Sequence, residues 1–274
     1  MKVSSSWAGV PKRRSAIAFL GVFFLTFAVA GWASGEYIVA NLQPDPNVPN
    51  RLIDPNSYTI QQIIEAGGII IGDKLFDAFK VTTTKSVGAI APGANEIAIT
   101  PIQILKPGAP LGGDYGMKFN SLWSAPAGGL ADSTIEFRVT ILPEYAQQGY
   151  AIKDNALWIT AFGVGGTTPP GFVSVSENIW ARHPSDQNPP HNSIADKFVY
   201  YSTSNDKLLY DEAEFGPLTQ IWITKDVGAN GGVGTLGVAK LSEFYQTFSQ
   251  VPEPSTWVLL SLAGLGLLGF ARRR

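Results

Sequence analysis

Alternation of apolar and polar side chains with a period of two is the feature that most constrains the fold of residues 34–250. Within 135–141, for example, Ile135, Phe137 and Val139 alternate with charged or hydroxyl-bearing side chains. A strand with one buried face and one wet face has this pattern. Gly and Pro turns separate further segments of the same type, which predict strands at 69–71, 75–82, 96–105, 115–120, 133–142, 156–164, 172–180, 197–203, 208–214, 220–225 and 237–248. We therefore predict an all-β fold, a single antiparallel β-sandwich or jelly roll.

One short helix is predicted before the first of these strands. Thr59 and Gln62 fit a capping box, in which each side chain accepts a hydrogen bond from the other residue's backbone N–H. Ile60 and Ile63 supply an apolar face, and Gly67 follows the last helical position. Residues 41–56 contain four prolines and predict an extended lead-in before this helix.

Composition excludes several classes of site. The chain has no cysteine, which rules out disulfides, thiolate metal ligands and a cysteine nucleophile. With two histidines it cannot form a three-histidine zinc site. The formal net charge is −2 and basic clusters occur only near the two ends, so we expect no nucleic-acid partner. No motif indicates a cofactor or catalytic residues.

The N-terminal 33 residues predict a signal peptide. Lys2 and Arg13 belong to a basic n-region, and the uncharged apolar run 16–30 follows it. Ala28 and Ala30 supply the small side chains of a cleavage site. The alternative is an uncleaved anchor, although the run is shorter than the ~20 residues that a stable span needs.

The C-terminal residues 251–274 form a second distinctive segment. Val251, Pro252, Glu253 and Pro254 precede an uncharged, mostly apolar stretch at 257–271, and Arg272, Arg273 and Arg274 end the sequence. We predict a transmembrane sorting helix at 257–271, with the arginines as its membrane stop. The alternative of a buried core helix fits poorly with an apolar surface on every side.

This tail resembles the PEP-CTERM sorting signal of Gram-negative bacteria, a type of segment also known as an ice-binding protein C-terminal domain. The resemblance implies processing by an exosortase and does not imply ice binding. The body is also similar to a recurring type of PEP-CTERM protein, on the motifs at 72–76, 115–119, 135–139, 173–177 and 225–226. This second resemblance implies an exported β-domain without established chemistry.

The two basic ends should remain in the cytoplasm, which places the body across the membrane. Residues 31–250 contain 13 Lys and Arg against 21 Asp and Glu, a net charge of −8. We expect an acidic exported domain, delivered by the secretory translocon, held transiently in the inner membrane, and then located in the envelope or outside the cell.

Three groups of residues in the body are weaker candidates. His183, His191 and Asp186 lie in a proline-rich stretch that could bind a metal but is typical of a solvated loop. The acidic run 211–214 could bind calcium, or could be the wet face of a strand. Tryptophans on or near strands could stack on sugars, although we expect burial in the core: Trp123, Trp158, Trp180 and Trp222. We predict no metal site.

These observations favour a non-enzymatic protein of the cell envelope or extracellular matrix, associated with exopolysaccharide or biofilm. Surface polysaccharide and other matrix proteins are the expected partners. A carbohydrate-binding, lectin-like module is the first alternative, and aromatic side chains side by side on one face would favour it. A secreted hydrolase is the second alternative, and close carboxylates in a deep pocket would favour it.

Overall fold

The computed structural model describes residues 37–166, 169–186, 192–203, 205–234 and 236–252. The predicted signal peptide with Ala28 and Ala30, the predicted helix at 257–271, and the residues Glu253, Pro254 and 272–274 all lie outside this set. Within it, none of the helices combines the length and the hydropathy that crossing a membrane requires.

The described residues form mainly β-structure. The strands are β1 (Ile38–Val39), β2 (Gln43–Pro44), β3 (Arg51–Ile53), β4 (Tyr58–Thr59), β5 (Ile69–Ile71), β6 (Lys74–Lys85), β7 (Ala98–Leu105), β8 (Gly113–Pro126), β9 (Leu130–Ile141), β10 (Tyr150–Gly165), β11 (Phe172–Trp180), β12 (Ala195–Thr203), β13 (Asp206–Leu208), β14 (Tyr210–Leu218), β15 (Gln220–Asn230) and β16 (Val238–Pro252). The helices are α1 (Ile60–Glu65) and α2 (Pro143–Ala146), and a 3-10 turn covers Pro110–Gly112.

The strands belong to two sheets. The first sheet has the order β1-β5-β6-β9-β15-β11-β12-β13. The second has the order β14-β10-β16-β8-β7-β3-β2, with β4 also paired to β7. The prediction of an all-β fold is confirmed. The pairing is antiparallel except between β1 and β5, which are parallel. The intervening chain, which includes α1, is long enough for the crossover that parallel neighbours need.

Aromatic side chains from both sheets meet in the core between them. Phe119 and Phe244 of the second sheet stack at 4.5 Å between ring centroids. Phe137 of the first sheet lies 6.4 Å from Phe119, and Phe76 of the first sheet lies 5.7 Å from Phe248 of the second. All five side chains are fully buried. Each large aromatic side chain buries about 150–250 Å², so these contacts contribute a large part of the apolar area that joins the sheets.

The short helix is confirmed with its cap. Thr59 Oγ1 accepts a hydrogen bond from the Gln62 amide, and Gln62 Oε1 accepts one from the Thr59 amide. Ile60 and Ile63 are fully buried. Within the predicted extended lead-in, β2 and β3 pair with each other and extend the second sheet beyond β7. Its prolines limit these strands to two or three residues.

Candidate functional site

Three aromatic side chains form a row across the outer face of the second sheet. Trp158 on β10 is in register with Tyr210 on β14 and with Tyr245 on β16. The preceding residues Leu157 and Phe244 are fully buried in the core. Because successive side chains point to opposite faces of a sheet, the aromatic row faces away from the first sheet.

The rings in this row hold one another in place. Trp158 and Tyr245 stack with 5.1 Å between centroids and 2° between planes, and Tyr210 lies 6.4 Å from Trp158 with a tilt of 35°. The Arg51 guanidinium covers Tyr245 at 5.5 Å from the ring centroid. Tyr245 is therefore only 4% exposed, whereas Tyr210 is 52% exposed. The row presents a supported indole and an accessible phenol to solvent.

Small side chains beside this row leave room for a ligand. Ala156 on β10 is in register with Thr247 on β16, which in turn is in register with Gly116 on β8. The resulting groove has a volume of about 440 Å³. We call it the aromatic groove, and its walls include Lys106, Asp114, Ala156, Trp158, Tyr210 and Thr247.

Charged groups also line the aromatic groove. Lys106 Nζ and Asp114 Oδ2 form an ion pair at 2.5 Å. Burial raises the pKa of Asp114 despite the opposing effect of Lys106, and the negative charge of Asp154 adds to the rise. The pKa of Tyr210 is also well above its usual range, because of burial and because its hydroxyl donates to Glu212 at 2.6 Å. Carboxylates thus outnumber cations around this groove.

The combination of groups suits a polyhydroxylated ligand. An aromatic wall offers apolar contact to the C–H faces of a ring, while Asp114, Lys106 and Thr247 offer hydrogen-bond acceptors and donors beside it. The sequence pattern failed to reveal this site, because Trp158, Tyr210 and Tyr245 are far apart in the chain and meet only through strand pairing.

A second groove lies on the outer face of the first sheet. Its volume is about 420 Å³, and its lining includes Asp132, Phe172, Ser174, Ser176, Asp226 and Gly228. We call it the carboxylate groove. Burial raises the pKa of Asp132, and the charge of Asp226 adds to the effect. Thr134 Oγ1 donates to Asp226 at 2.8 Å, so the two carboxyl groups of the groove have different surroundings.

The side chain of His183 contacts a carboxylate, a hydroxyl group and an indole ring, and these do not form a set of metal ligands. Its Nε2 lies 2.9 Å from Glu136 Oε1, and its Nδ1 lies 2.6 Å from the Ser185 hydroxyl. The ring packs edge-on against Trp222 at 4.4 Å. Because the imidazole is 38% exposed, this chain of contacts is open to water. His191 lies outside the described residues, and among the described ones no group of three His, Asp or Glu side chains could hold a metal ion.

The residues of the acidic run 211–214 on β14 alternate between exposed and half-buried positions, as expected for a strand with one face in water. Asp211 accepts a hydrogen bond from the Phe198 amide at 2.9 Å, and Glu214 lies 3.7 Å from Lys153. Glu212 and Glu214 are exposed, and Asp211, which precedes them, is half-buried on the other face. The Asp211 and Glu214 carboxylates are therefore engaged with groups on neighbouring strands, Asp211 across to β12 of the first sheet and Glu214 with Lys153 on β10.

The expectation of buried tryptophans is right for Trp123 and wrong for the other three. Trp123 is fully buried and its indole N–H donates to Ser133 Oγ at 2.9 Å. Trp158, Trp180 and Trp222 are half-buried and lie outside the core cluster. Their strand positions have the opposite parity to the inward side chains, so alternation directs them outward.

The predicted sorting residues begin inside the last strand. Val251 is in register with Ala151, and Pro252 is in register with Tyr150, at the end of the β10–β16 pairing. The adjacent Gln250 is buried, accepts a hydrogen bond from Lys74 Nζ at 2.6 Å and donates to the Gly113 carbonyl at 2.9 Å. The predicted sorting segment therefore begins with the last two residues of β16.

Comparison with known families bears on this last segment. Residues 250–274 match the family model of the PEP-CTERM protein-sorting motif. The search of curated proteins found no match to the chain. The motif and the fold together define the class: an exported, envelope-sorted protein with an all-β body. More particularly, the chain carries a PEP-CTERM motif, which indicates that an exosortase processes it.

Proposed function

We propose that this exported protein is a non-enzymatic component of the cell envelope or extracellular matrix that binds polysaccharide along the aromatic groove. The observation that carries the proposal is the cross-strand row of Tyr210, Trp158 and Tyr245. The stacking of Trp158 on Tyr245 holds the indole before a ligand arrives. A side chain that is already ordered loses little conformational entropy on binding.

The charges around the groove limit which sugars can bind there. Burial and the negative charges of Glu212, Asp114 and Asp154 raise the pKa of Tyr210. Lys106, a cation of the groove wall, is already paired with Asp114. A uronic acid would bring its carboxylate close to these groups, and like charges repel. Neutral or amino sugars fit the groove better, since they offer hydroxyl or ammonium donors to the carboxylates.

Thermal denaturation of the mature exported protein with defined oligosaccharides tests this proposal. The probes are a neutral glucan, an amino-sugar oligomer and a uronate oligomer. At 100 times the dissociation constant a ligand stabilises the folded state by about 2.7 kcal/mol, which for a domain of this size raises Tm by roughly 5–10 °C. We expect a rise with the first or second probe and none with the third.

The variant Trp158→Ala should abolish the rise in Tm. Trp222→Ala is the matched control, because Trp222 is also half-buried and outward-facing but lies on the first sheet, against His183 and Arg138. An equal loss of binding in both variants, or no binding by the wild type to any glycan of the host envelope, would contradict the proposal.

The route to this location also belongs to the proposal. The secretory translocon delivers the chain, the apolar stretch at 257–271 is held in the inner membrane, and the exosortase releases the body to the envelope or the outer surface. The basic residues 272–274 support this order, since they resist translocation. Replacing these three arginines with serine should reduce the membrane-held precursor, as measured by fractionation of pulse-labelled cells.

The carboxylate groove favours one alternative, a secreted hydrolase. Asp132 is in register with Gly228, two residues from Asp226 on the paired strand. Diagonal neighbours on adjacent strands are about 7–8 Å apart, within the range in which paired carboxylates hydrolyse glycosides. Release of reducing ends from a host glycan by the wild type, lost in Asp132→Asn, would establish this alternative. Binding without release would support the non-enzymatic proposal.

A further inference from the structure

Four polar side chains form a closed cluster between the two sheets. Glu177 Oε1 accepts hydrogen bonds from Lys197 Nζ at 2.6 Å and from Asn155 Nδ2 at 2.8 Å. Its other oxygen, Oε2, contacts Lys225 Nζ. The side chains of Glu177, Lys197 and Lys225 are completely buried, and Asn155 is 0% exposed. We call these four residues the Glu177 cluster.

Strand pairing fixes the members of the cluster. Glu177 on β11 is in register with Lys197 on β12 and with Lys225 on β15, so the two lysines flank it within the first sheet. Asn155 reaches it from β10 of the second sheet. The inward neighbours of Glu177 along β11 are apolar, namely Val173, Val175 and Ile179. The cluster is therefore a group of polar side chains surrounded by the apolar core.

The charges of the cluster do not balance. Two ammonium groups share a single carboxylate, and the rings of Phe119 and Phe244 lie 5.8 Å from Lys225 Nζ. An excess charge in such surroundings is costly. Burial accordingly lowers the pKa of Lys225 to about 8. In addition, the carbonyl oxygen of Asn155 is buried and has no hydrogen-bond partner among the residues that the structure describes.

We propose that Asn155 and Lys197 react to form an intramolecular isopeptide bond that covalently links the two sheets, with Glu177 transferring the protons. The amine and the amide nitrogen contact the same oxygen of Glu177. They are thus no more than about 5.4 Å apart, the sum of the two hydrogen-bond lengths. The shared oxygen can take a proton from the attacking nitrogen and deliver one to the leaving nitrogen.

The reaction balances without an external reagent. Glu177 first takes one proton from the Lys197 ammonium group, and the neutral Nζ then attacks Asn155 Cγ. The Nζ–Cγ bond forms, and the Cγ–Nδ2 bond breaks. Of the three protons on the ammonium group, one remains on the new amide nitrogen. Glu177 relays the other two to the departing NH₂, which leaves as ammonium. No atom is oxidised or reduced. The product removes one buried charge and leaves Glu177 paired with Lys225.

Such a bond would stabilise this chain by covalent cross-linking, as a disulfide does in other exported proteins. The sequence contains no cysteine, so a disulfide is impossible. The bond closes a loop of roughly 40 residues that joins β10 of the second sheet to β12 of the first, and a cross-link of this kind constrains the unfolded chain.

Peptide mapping of the mature wild-type protein tests the proposal directly. Trypsin should leave residues 154–182 attached to 183–207, because it cannot cleave after an acylated Lys197. The linked species should weigh about 17 Da less than the two peptides together, the mass of lost ammonia. Fragmentation should place the link between Asn155 and Lys197. Separate wild-type peptides 154–182 and 183–197 would overturn the proposal and leave an ordinary buried ion cluster.

Variants assign the roles within the cluster. Asn155→Ala, Glu177→Gln and Lys197→Arg should each retain the ammonia and yield unlinked peptides. Lys225→Arg is the matched control, since it keeps the second cation and should retain the link. A link that persists in Lys197→Arg and is lost in Lys225→Arg would overturn the assignment to Lys197. The wild-type map decides the main question even if one of these variants fails to fold.

Discussion

Replacing Lys74 with methionine should destabilise the body strongly. Lys74 Nζ donates to Asp73 Oδ1 and to Gln250 Oε1, both at 2.6 Å, and the side chains of Lys74 and Asp73 are completely buried. Methionine fills a similar volume but provides no charge or donor. The Asp73 carboxylate would then be buried without its cation, and within the described part of the chain its Oδ2 already has no hydrogen-bond partner.

Removing one partner of a buried ion pair costs about 3–5 kcal/mol. For a domain of this size, this corresponds to a fall in Tm of roughly 6–20 °C. Urea denaturation followed by tryptophan fluorescence gives the free energy of unfolding. Lys80→Met is the control, because Lys80 is on the same strand but exposed. We expect a change below about 0.5 kcal/mol for Lys80→Met. Equal effects of the two variants would refute the reasoning.

Three further predictions concern backbone strain, pH and processing. Ala78 is exposed and has a φ of 54°, so Ala78→Gly should increase the free energy of unfolding by up to about 1 kcal/mol and raise Tm. A lower Tm would contradict this. Burial holds the pKa values of Lys74 and Lys225 below their usual 10.5. Above about pH 8 the unfolded chain therefore binds more protons than the folded chain, so the stability of the folded state should rise from there to about pH 9.5. A flat or falling Tm over this range would contradict this. Alanines at 252–254 should block processing while the precursor stays in the membrane fraction, and a mature protein of normal mass would contradict this.

The strands could be predicted because their alternation is a local property of the chain. The segment at 135–141 keeps one face apolar over its whole length, and the structure confirms the strand predicted there. The lead-in was harder to predict, because β2 and β3 are short and β3 forms through pairing with β7, which is distant in the chain.

The aromatic groove and the Glu177 cluster could not be predicted, for the same physical reason. Each is assembled from residues on strands that are distant in sequence, and the strand register that brings them together is not encoded in any one segment. Glu177 also occupies an inward position of β11, where the alternation alone predicts an apolar residue. Only the pairing with Lys197 and Lys225 explains how the core accommodates it.

Partition of the processed protein between matrix and medium tests the central claim most directly. The measurement compares wild type, Trp158→Ala and Trp222→Ala in an exosortase-positive host, with intact mass confirming that all three are processed equally. We predict that the wild type and Trp222→Ala stay with the polysaccharide fraction, and that Trp158→Ala moves to the medium. Equal retention of Trp158→Ala and the wild type would contradict polysaccharide binding through the aromatic groove.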